Sequence, residues 1–406
     1  MSKVRKKNII RRNLILRALL DEERLSLTDL KNKTGISLPV VTSIVSSLEK
    51  EKFVTEVDVK DENRGAGRPP LIYQLNGQAG YVLGIDIGRS TTDYVVLDLA
   101  QNIIHQDRRE SVNLNSKDIS VIDDLFDEVQ DVIKNAAVKY KSVLGIGISI
   151  PGIIQGPKGL SQTYFNFSDE SLEELLKKKF NKSVNIEHDA KAMALGELWF
   201  GQAKGKQNVL CINIGWGLGL GMILNGKIFY GSDYYAGEFG HLQVVRDGNL
   251  CYCGKQGCLE TYASGKAMAR IAREKIEAGA QTIITNEVND IEKIDAKVVF
   301  ESANKGDTFS IEILEEAAGH LGFGLSQIIN ILNPEMIIFG GKIATVNDFI
   351  INNIRAAALK YSMTQINKNI KFVVSDLGTI AGAMGAAMLE FRELFEVEHL
   401  NPKAYV

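Results

Sequence analysis

The sequence predicts an α/β protein in which a small, mainly helical N-terminal segment precedes a much larger, internally duplicated body. Residues 8–75 carry apolar positions at helical spacing, followed by two short strand-like runs. Residues 82–88 and 209–215, VLGIDIG and VLCINIG, repeat one apolar strand pattern that ends at a glycine. A cysteine-rich loop at residues 237–261 follows the second repeat and predicts a metal site inside the body.

Composition and charge separate the two parts further. The chain has 406 residues, of which 45% are hydrophobic and 24% charged, as expected for two or three folded domains. Residues 1–80 hold 15 basic and 10 acidic side chains, whereas the rest of the chain holds 32 and 40. A basic segment on an acidic body indicates a polyanionic partner at that end only. No apolar core follows the N-terminal charges, and the most apolar run, residues 209–224, is too short to cross a bilayer, so we expect a cytoplasmic protein without a membrane partner.

The N-terminal segment has the pattern of a winged helix-turn-helix. Apolar residues recur at helical spacing between Ile9 and Leu20, which predicts a first helix. Ser26 is placed to cap a second helix, Gly35 supplies a tight turn, and Ser37 is placed to cap a third helix. Two strands, near residues 53–59 and 71–75, would form a wing. The third helix can lie in a major groove and the wing tip in a minor groove. The residues expected to contact DNA are Ser37, Thr42, Ser43, Ser46, Ser47, Lys50, Arg64 and Arg68.

A three-helix module that binds another protein is the alternative for this segment. Helix, turn and helix alone do not separate the two interpretations. The wing sequence RGAGRPP at residues 64–70 and the six basic residues among the first twelve favour DNA. The opposite charge of the body points the same way.

The repeated strands predict the architecture of the body. Each is followed by a glycine turn and a second strand, near residues 93–97 and 220–224. Two lobes that begin with the same hairpin indicate an actin-like or hexokinase-like two-lobed α/β fold. We place the winged domain at residues 1–78. The first lobe is expected at 79–195, completed by a C-terminal helix near 380–400, and the second lobe, with the cysteine loop and a dimer surface, at 196–379.

The cysteine-rich loop has zinc-ligand spacing. His241, Cys251, Cys253 and Cys258 are the ligand types of a closed tetrahedral zinc site, which leaves no open position for catalysis. The fourth cysteine, Cys211, lies in an apolar run and is interpreted as a buried hydrophobic residue. Free thiols in a surface loop are the alternative, but four residues of the right ligand types within eighteen positions favour a structural Zn²⁺.

The sequence GEFGH at residues 237–241, followed by CYCGKQGCLET at 251–261, resembles the signature of the ROK family. This family groups bacterial sugar kinases with sugar-responsive repressors, and the resemblance covers about residues 80–390. It implies that the four ligands above bind zinc. It also implies sugar contacts from six residues: Asn166, His188, Asp189, Glu238, His241 and Glu260. The resemblance is looser at Asn166, because the residues that follow it differ from the family pattern.

The resemblance also assigns individual roles, each with a plainer alternative. In a kinase of this family, Asp189 would be the general base that deprotonates the sugar. Capping of a helix is the alternative for that residue. Carboxylates on a metal-clipped loop can accept hydrogen bonds from sugar hydroxyls, whereas surface charges are the alternative for Glu238 and Glu260.

The glycine turns resemble the elements that bind ATP and Mg²⁺ in the kinases of this family. The matching positions are Asp86, Gly88, Ser90, Thr92, Gly215, Gly217, Gly340 and Gly341. Three residues depart from the kinase pattern: Arg89 and Lys342 replace glycines, and Trp216 replaces a threonine that donates to phosphate. We therefore expect the turns to keep their fold while nucleotide binding has decayed. Attraction of phosphate by the two basic residues is the alternative.

These features predict a cytoplasmic, zinc-stabilised repressor that binds double-stranded operator DNA. Its effector would be a hexose or N-acetylhexosamine, free or phosphorylated. One winged helix covers only a half-site, so we expect a homodimer, with a tetramer as a second option. A sugar kinase that uses ATP and Mg²⁺ and carries a DNA-binding domain is the rival interpretation. An adaptor protein that does not bind DNA is a third.

Overall fold

The N-terminal unit is a winged helix-turn-helix, as the sequence predicts. The computed structural model describes residues 3–57, 71–167, 170–341 and 348–395. The elements of the first unit are α1 (Lys3–Glu22), β1 (Leu25–Ser26), α2 (Leu27–Thr34), α3 (Leu38–Lys50), β2 (Val54–Val57) and β3 (Ile72–Leu75). Strand β3 pairs antiparallel with both β1 and β2. The predicted wing tip, with Arg64 and Arg68, lies outside the described residues.

Local hydrogen bonds explain where the helices of this unit begin and end. The Ser26 hydroxyl accepts from the backbone N–H of Asp29 (3.1 Å), and the Asp29 carboxylate accepts from the backbone N–H of Ser26 (3.0 Å), which together form a capping box. Gly35 ends α2 in the left-handed region, with φ of 71°. Ser37 occupies the N-cap position of α3, as expected, but its side chain makes no capping hydrogen bond.

The body contains two five-stranded sheets and the helices that cover them. Its first half consists of β4 (Tyr81–Ile87), β5 (Thr91–Asp98), β6 (Ile103–Glu110), α4 (Val121–Asn135), β7 (Val143–Ile150), β8 (Ile154–Gln155), β9 (Leu160–Ser161), α5 (Leu172–Phe180), β10 (Ser183–His188) and α6 (Asp189–Phe200). Its second half consists of β11 (Val209–Ile214), β12 (Leu218–Leu224), β13 (Lys227–Ile228), α7 (Glu260–Ala263), α8 (Gly265–Glu277), α9 (Ile284–Glu287), α10 (Ala296–Asn304), α11 (Thr308–Leu332), β14 (Met336–Gly341), α12 (Asp348–Tyr361), α13 (Thr364–Asn367), β15 (Lys371–Val374) and α14 (Ala381–Phe395).

The two large sheets confirm the predicted duplication. The first has the strand order β10-β7-β4-β5-β6 and the second β13-β12-β11-β14-β15. In each sheet the first strand of the repeat, β4 or β11, pairs antiparallel with the next strand of the chain and parallel with a later one. The sheet that contains β4 is called the first lobe below, and the sheet that contains β11 the second lobe.

Helices α6 and α14 form the layer between the two lobes. Small residues let this layer pack closely, since a Cβ on Gly84 of β4 would lie 1.9 Å from the backbone oxygen of Ala383 in α14. A Cβ on Gly385 of α14 would lie 1.7 Å from the backbone oxygen of Ala192 in α6. Helices α4 and α5 cover the outer face of the first lobe, and α8, α10, α11 and α12 cover that of the second. The interlobe cleft is therefore built on a tightly packed helix pair.

The winged unit packs directly on the body. Buried residues of α1, among them Ile15 and Leu19, belong to one continuous apolar cluster with Leu97 of β5 and Met388 of α14. The Gln101 side-chain amide also donates to the backbone oxygen at Leu20, over 2.8 Å. This hydrogen bond crosses from the first lobe to α1. None of the helices within the described part of the chain is long and apolar enough to span a membrane.

Candidate functional site

The cysteine-rich loop brings its four predicted metal ligands together. Two short bridges, Gln243 with Cys258 and Leu250 with Gln256, fold the loop back on itself. Gly257 turns the chain with φ of 75°, where a Cβ would lie 1.6 Å from a backbone oxygen. As a result, one ligand atom from each of the four residues lies within 4.8 Å of all the others: His241, Cys251, Cys253 and Cys258.

The spacing of these ligand atoms fits a tetrahedral zinc ion. With Zn–S bonds of about 2.3 Å and Zn–N bonds of about 2.0–2.1 Å, the edges of a tetrahedron are about 3.8 Å for two sulfurs and about 3.6 Å for nitrogen and sulfur. The observed distances are 3.7 Å between the Cys253 and Cys258 sulfurs and 3.6 Å from His241 Nδ1 to Cys251 Sγ. The Cys/His cluster therefore has the ligands and the dimensions of a closed zinc site.

The histidine of this cluster also faces the cleft. Its second ring nitrogen, Nε2, lies 3.2 Å from the Tyr252 hydroxyl and 3.8 Å from a carboxylate oxygen of Glu238. A metal-bound histidine commonly directs its other nitrogen to such a partner, which fixes the orientation of the ring. His241 is thus placed between the cluster and the cleft.

Five of the six predicted sugar residues form one group, called the sugar-facing cluster below. Its members are His188, Asp189, Glu238, His241 and Glu260. Asp189 is the first residue of α6, and its carboxylate accepts from the Asn213 amide of β11 (3.2 Å) and lies 3.3 Å from His188 Nε2. A Cβ on Gly217 would lie 3.3 Å from a carboxylate oxygen of Glu260. The turn between β11 and β12 therefore brings Glu260 of the metal loop to the same cleft as Asp189.

The carboxylates of this cluster influence one another electrostatically. Burial raises the pKa of Glu260 to about 7, Lys266 opposes that rise, and the charges of Asp189 and Glu238 add to it. The sixth predicted residue, Asn166, is exposed on the segment after β9. The contacts described for the molecule do not join its side chain to the cluster.

The two glycine turns that resemble nucleotide-binding elements are held against each other. The guanidinium of Arg89, from the turn between β4 and β5, lies 3.9 Å from the centre of the Trp216 ring, from the turn between β11 and β12. This Arg–Trp stack spans the two lobes and occupies the space between the turns. Arg89 and Trp216 are two of the three residues that depart from the kinase pattern, and together they form one cation–π interaction.

Other residues of these nucleotide-facing turns are engaged within the protein. Thr92 is fully buried, and its hydroxyl donates to Ser111 (3.2 Å). Asp86 accepts from the Ser149 hydroxyl (2.5 Å), and burial raises the pKa of Asp86 to about 7. Ser90 is exposed. Five glycines and one lysine complete the set. Gly88, Gly215 and Gly217 lie in the turns, Gly340 packs on Met193, Gly341 packs on Asn213, and Lys342 lies outside the described residues.

The predicted DNA-facing residues lie on one side of α3. Ser37, at its N-cap, and the following residues of that side are exposed: Thr42, Ser43, Ser46, Ser47 and Lys50. The opposite side, with Val41, Val45 and Leu48, is buried in the winged unit. The Ser47 hydroxyl donates to Glu51 (2.9 Å), whose carboxylate also lies 2.7 Å from Arg12 of α1. The Arg12–Glu51 ion pair therefore joins the end of α3 to α1, and the hydroxyl-rich face of α3 is open to solvent.

The sequence profile of the ROK family matches residues 82–393 of this chain. The chain belongs to the ROK family. A second profile, described as winged helix-turn-helix DNA-binding, matches residues 10–55. This ROK protein therefore carries an N-terminal DNA-binding domain in addition to the family body.

Known relatives include both repressors and kinases. A xylose repressor of Bacillus spizizenii (strain W23) is 30% identical over 389 residues, 96% of either chain. A glucokinase of Halalkalibacterium halodurans is 31% identical over 316 residues, 76% of this chain and 94% of its own. The crystal structure of a ROK family transcriptional regulator, a homologue of the E. coli MLC protein, has the same fold, with a TM-score of 0.79 and 24% identity over 96% of either chain.

Sequence reasoning missed one segment of this ROK body, residues 229–237. It extends from the second lobe to the first, where Gln155 donates to the backbone oxygen of Asp233 (3.1 Å) and Gln162 to the Tyr235 hydroxyl (2.6 Å). Lys191, buried two residues after the start of α6, donates to the backbone oxygen of Tyr234 (2.7 Å). The available signal was the aromatic sequence FYGSDYYAG, which directly precedes the GEFGH motif.

Proposed function

We propose that this ROK protein is a sugar-responsive transcriptional repressor, in which the winged domain binds operator DNA and the cleft of the body binds a sugar. The observation that carries the proposal is the packing of α1 on the α6–α14 layer, since Asp189 of the sugar-facing cluster is the first residue of α6. A DNA-binding domain seated on this layer senses the cleft through direct contact. Similarity to a xylose repressor over 96% of the chain supports the same function.

The sugar-facing cluster supplies the recognition chemistry. Carboxylates and imidazoles can accept from and donate to several hydroxyls of one sugar ring. We assign Asp189, Glu238 and Glu260 as acceptors for sugar hydroxyls, with His188 and His241 beside them. Asn166 remains a predicted sixth contact with the sugar. The name of the Bacillus relative adds D-xylose to the hexoses and N-acetylhexosamines expected from the sequence.

Zn²⁺ is the metal that the Cys/His cluster would hold. Three thiolates and one imidazole leave no open coordination position, so its chemistry there would be structural. The ion would fix the loop that ends at Glu260, and through His241 it would orient the neighbouring Glu238. We therefore assign the metal a positioning role in sugar binding rather than a catalytic one.

The exposed face of α3 is the proposed DNA contact. Hydroxyls of its serines and threonine can reach base edges, and Lys50 can reach phosphate. Arg64 and Arg68 of the wing remain predicted minor-groove contacts. A homodimer on a two-fold operator remains the expected assembly, as do a cytoplasmic location and the predicted domain limits at residues 78, 195 and 379.

The kinase interpretation receives less support from the geometry. Asp189 stands where a general base would act, but the Arg89–Trp216 stack fills the space between the turns that would hold ATP phosphates. Trp216 offers no hydroxyl donor at this point, and Thr92 is buried with its hydroxyl donated to Ser111. These departures support loss of ATP and Mg²⁺ binding.

Selection of an operator followed by sugar titration tests this proposal. The full-length protein is used to select duplexes from a random library, and operator affinity is then measured with and without D-xylose, D-glucose, N-acetylglucosamine and their phosphate esters. We expect one of these sugars to change operator affinity by about 5–150-fold, which corresponds to a usual coupling of 1–3 kcal/mol. Operator DNA must change the affinity for that sugar by the same factor.

Substitutions within the two sites separate their roles. Glu238→Gln should weaken the sugar response and leave operator affinity without sugar intact. Sugar-dependent release of ADP from ATP, lost in Asp189→Asn, would establish the kinase instead. A protein that selects no sequence from the library would not be a repressor.

A further inference from the structure

The C-terminal end of α6 contacts the winged domain. The guanidinium of Arg17, on α1, lies 4.8 Å from the ring centre of Trp199, in the last turn of α6. Asp189, of the sugar-facing cluster, is the first residue of the same helix. We propose that Arg17 and Trp199 are positioning residues, which transmit the state of the sugar site to the winged domain through α6. This inference rests on the proposed function and names the residues that link its two sites.

Helix α6 links the two sites as one continuous, enclosed helix. It has 12 residues and is about 18 Å long. Every residue from 190 to 197 is buried, so the helix is enclosed between the two lobes. Its backbone touches its neighbours directly, since a Cβ on Gly221 of β12 would lie 2.2 Å from the Ala190 oxygen and one on Gly196 would lie 2.2 Å from the Ala381 oxygen. A shift at Asp189 is therefore passed along the axis to Trp199 rather than absorbed by bending.

The contact at the far end holds the orientation of α1. Arg17 is fixed on both sides, because its Nε lies 3.0 Å from the Asp21 carboxylate while its guanidinium faces the indole of Trp199. A planar cation between a carboxylate and a ring fixes direction as well as distance. Two more polar contacts cross nearby: Gln101 to the Leu20 oxygen (2.8 Å) and Lys204 to Glu23 (4.0 Å).

The junction has room for a change of orientation. A cavity of about 440 Å³ lies between α1, α6 and the second lobe, and its lining includes Leu20, Leu198, Trp199 and Tyr230. The apolar cluster that α1 forms with β5 and α14 is close-packed, whereas the part of the interface that surrounds this cavity has free volume into which side chains can move. The winged domain is thus joined to α6 by a directional contact that lies beside a cavity.

A second connection reaches the same cavity from the sugar site. Glu187 directly precedes His188, and its carboxylate interacts with the Tyr230 hydroxyl. The Tyr230 hydroxyl also accepts from Arg392 of α14, over 3.3 Å. Both helices of the interlobe layer therefore present a side chain to the junction, but only α6 carries a residue of the sugar-facing cluster. This favours α6 as the transmitting element.

Substitution of the stack tests the inference in the full-length protein. For each variant, we measure the sugar dissociation constant and the ratio of operator affinities without and with sugar, using whichever of D-xylose, D-glucose and N-acetylglucosamine binds the wild type. In Arg17→Ala and Trp199→Ala, sugar affinity should stay within about 2-fold of wild type, while the affinity ratio falls from about 5–150-fold to about 2-fold or less. Arg17→Lys and Trp199→Phe keep a cation or a ring and should retain part of the ratio.

A matched stack inside the second lobe provides the control. Arg355, on α12, lies 6.0 Å from the Phe372 ring, away from the junction, and its side chain is exposed. Arg355→Ala should leave both sugar affinity and the affinity ratio unchanged. If Arg17→Ala and Trp199→Ala keep the wild-type ratio, the inference is wrong.

Fluorescence separates this inference from the proposed function. The chain has two tryptophans, so Trp216→Phe leaves Trp199 as the sole reporter of the junction. Sugar that binds this variant should shift the Trp199 emission, and Arg17→Ala should abolish the shift. Sugar binding without any change in emission overturns the inference even if the protein is a repressor. A change in emission with constant operator affinity supports the link and overturns the repressor function.

Discussion

The turn between β11 and β12 separates two sides of the interlobe cleft, and only one of them retains side chains suited to a ligand. At the sugar-facing end, Asp189 and Glu260 approach the turn of the second lobe and are oriented by Asn213 and the metal loop. At the nucleotide-facing end, the matching space is taken by Arg89 on Trp216. One end presents hydrogen-bond acceptors to the cleft, whereas the side chains at the other end contact each other.

The difference shows that a backbone fold and its binding chemistry are separable. Some glycines of these elements are held by packing, as Gly340 is by Met193 and Gly341 by Asn213, so they can persist whether or not phosphate binds. Thr92 illustrates this, since its hydroxyl is donated to Ser111 while the turn beside it keeps its shape. Placing several carboxylates close together costs free energy, because their like charges repel, and packing alone does not require it. The presence of such a cluster at the sugar-facing end is therefore the stronger functional signal.

Loss of the metal should produce the largest effect, and it should be confined to the sugar-facing end. Cys253→Ala removes one of four ligands, and metal binding to such sites contributes roughly 10–16 kcal/mol of folding free energy in zinc-finger peptides. We expect the variant to lose zinc, to lose several kcal/mol of stability and to bind sugar poorly, while operator binding persists. Elemental analysis measures the loss of zinc, denaturant unfolding measures the loss of stability, and sugar and operator titrations measure the two affinities.

The remaining cysteine supplies the matched control for metal content. Cys211 is fully buried in β11, away from the cluster. Cys211→Ala should retain about one zinc per chain even if its core packing is weakened. Wild-type protein without near-stoichiometric zinc would contradict the assignment of the Cys/His cluster.

Asp86 should produce the next largest effect, at the nucleotide-facing end. Burial raises its pKa from 3.8 to about 7, a shift of about 4 kcal/mol at most. Because the folded-state pKa is raised, the folded protein holds the proton more tightly than the unfolded chain between about pH 4 and 7. Stability from this group is therefore full below pH 4 and is lost as the pH rises to about 7.

Replacement of Asp86 by Asn should remove this pH dependence. At pH 8 we expect Asp86→Asn to be more stable than wild type by roughly 2–3 kcal/mol, and at pH 5 the two should be closer. Urea unfolding of both proteins at each pH measures the difference, with exposed Asp127→Asn as the control. A constant difference at both pH values would mean that Asp86 is not protonated in the folded protein.

The sequence allowed much of the fold to be predicted, and less of the site. Ser26, Gly35 and the repeated glycine turns act locally, so their helices and hairpins could be placed from pattern alone. The four metal ligands lie within one short loop, which made their convergence predictable. The Arg89–Trp216 and Arg17–Trp199 stacks join residues far apart in the chain, and no local pattern indicates such pairing. The role of residues 229–237 was missed for the same reason.

A pair of glycines in one hairpin should distinguish packing from nucleotide chemistry. A Cβ on Gly221 of β12 would lie 2.2 Å from the Ala190 backbone oxygen, whereas nothing lies within 4 Å of one on Gly215. We expect Gly221→Ala to cost about 1–3 kcal/mol, because α6 must move. Gly215→Ala should stay within about 0.5 kcal/mol. Equal losses in urea unfolding would contradict the close packing of α6 on β12.

The smallest expected effect is that of the Arg89–Trp216 stack on stability. An exposed cation–π pair contributes about 0.5–1 kcal/mol, which a double-mutant cycle of Arg89→Ala and Trp216→Ala should recover as a coupling energy.

The effect of the Arg89–Trp216 stack on nucleotide binding is more informative than its energy. If the stack keeps ATP out, the double variant Arg89→Gly with Trp216→Thr, which restores the residues expected in a kinase, should bind a non-hydrolysable ATP analogue detectably. Trp216→Phe keeps a ring in the same place and should not. Calorimetric titration with the analogue and Mg²⁺ compares them. Binding by wild type as tight as by the double variant would show that the nucleotide-facing end is still open, and the contrast between the two ends of the cleft would be lost.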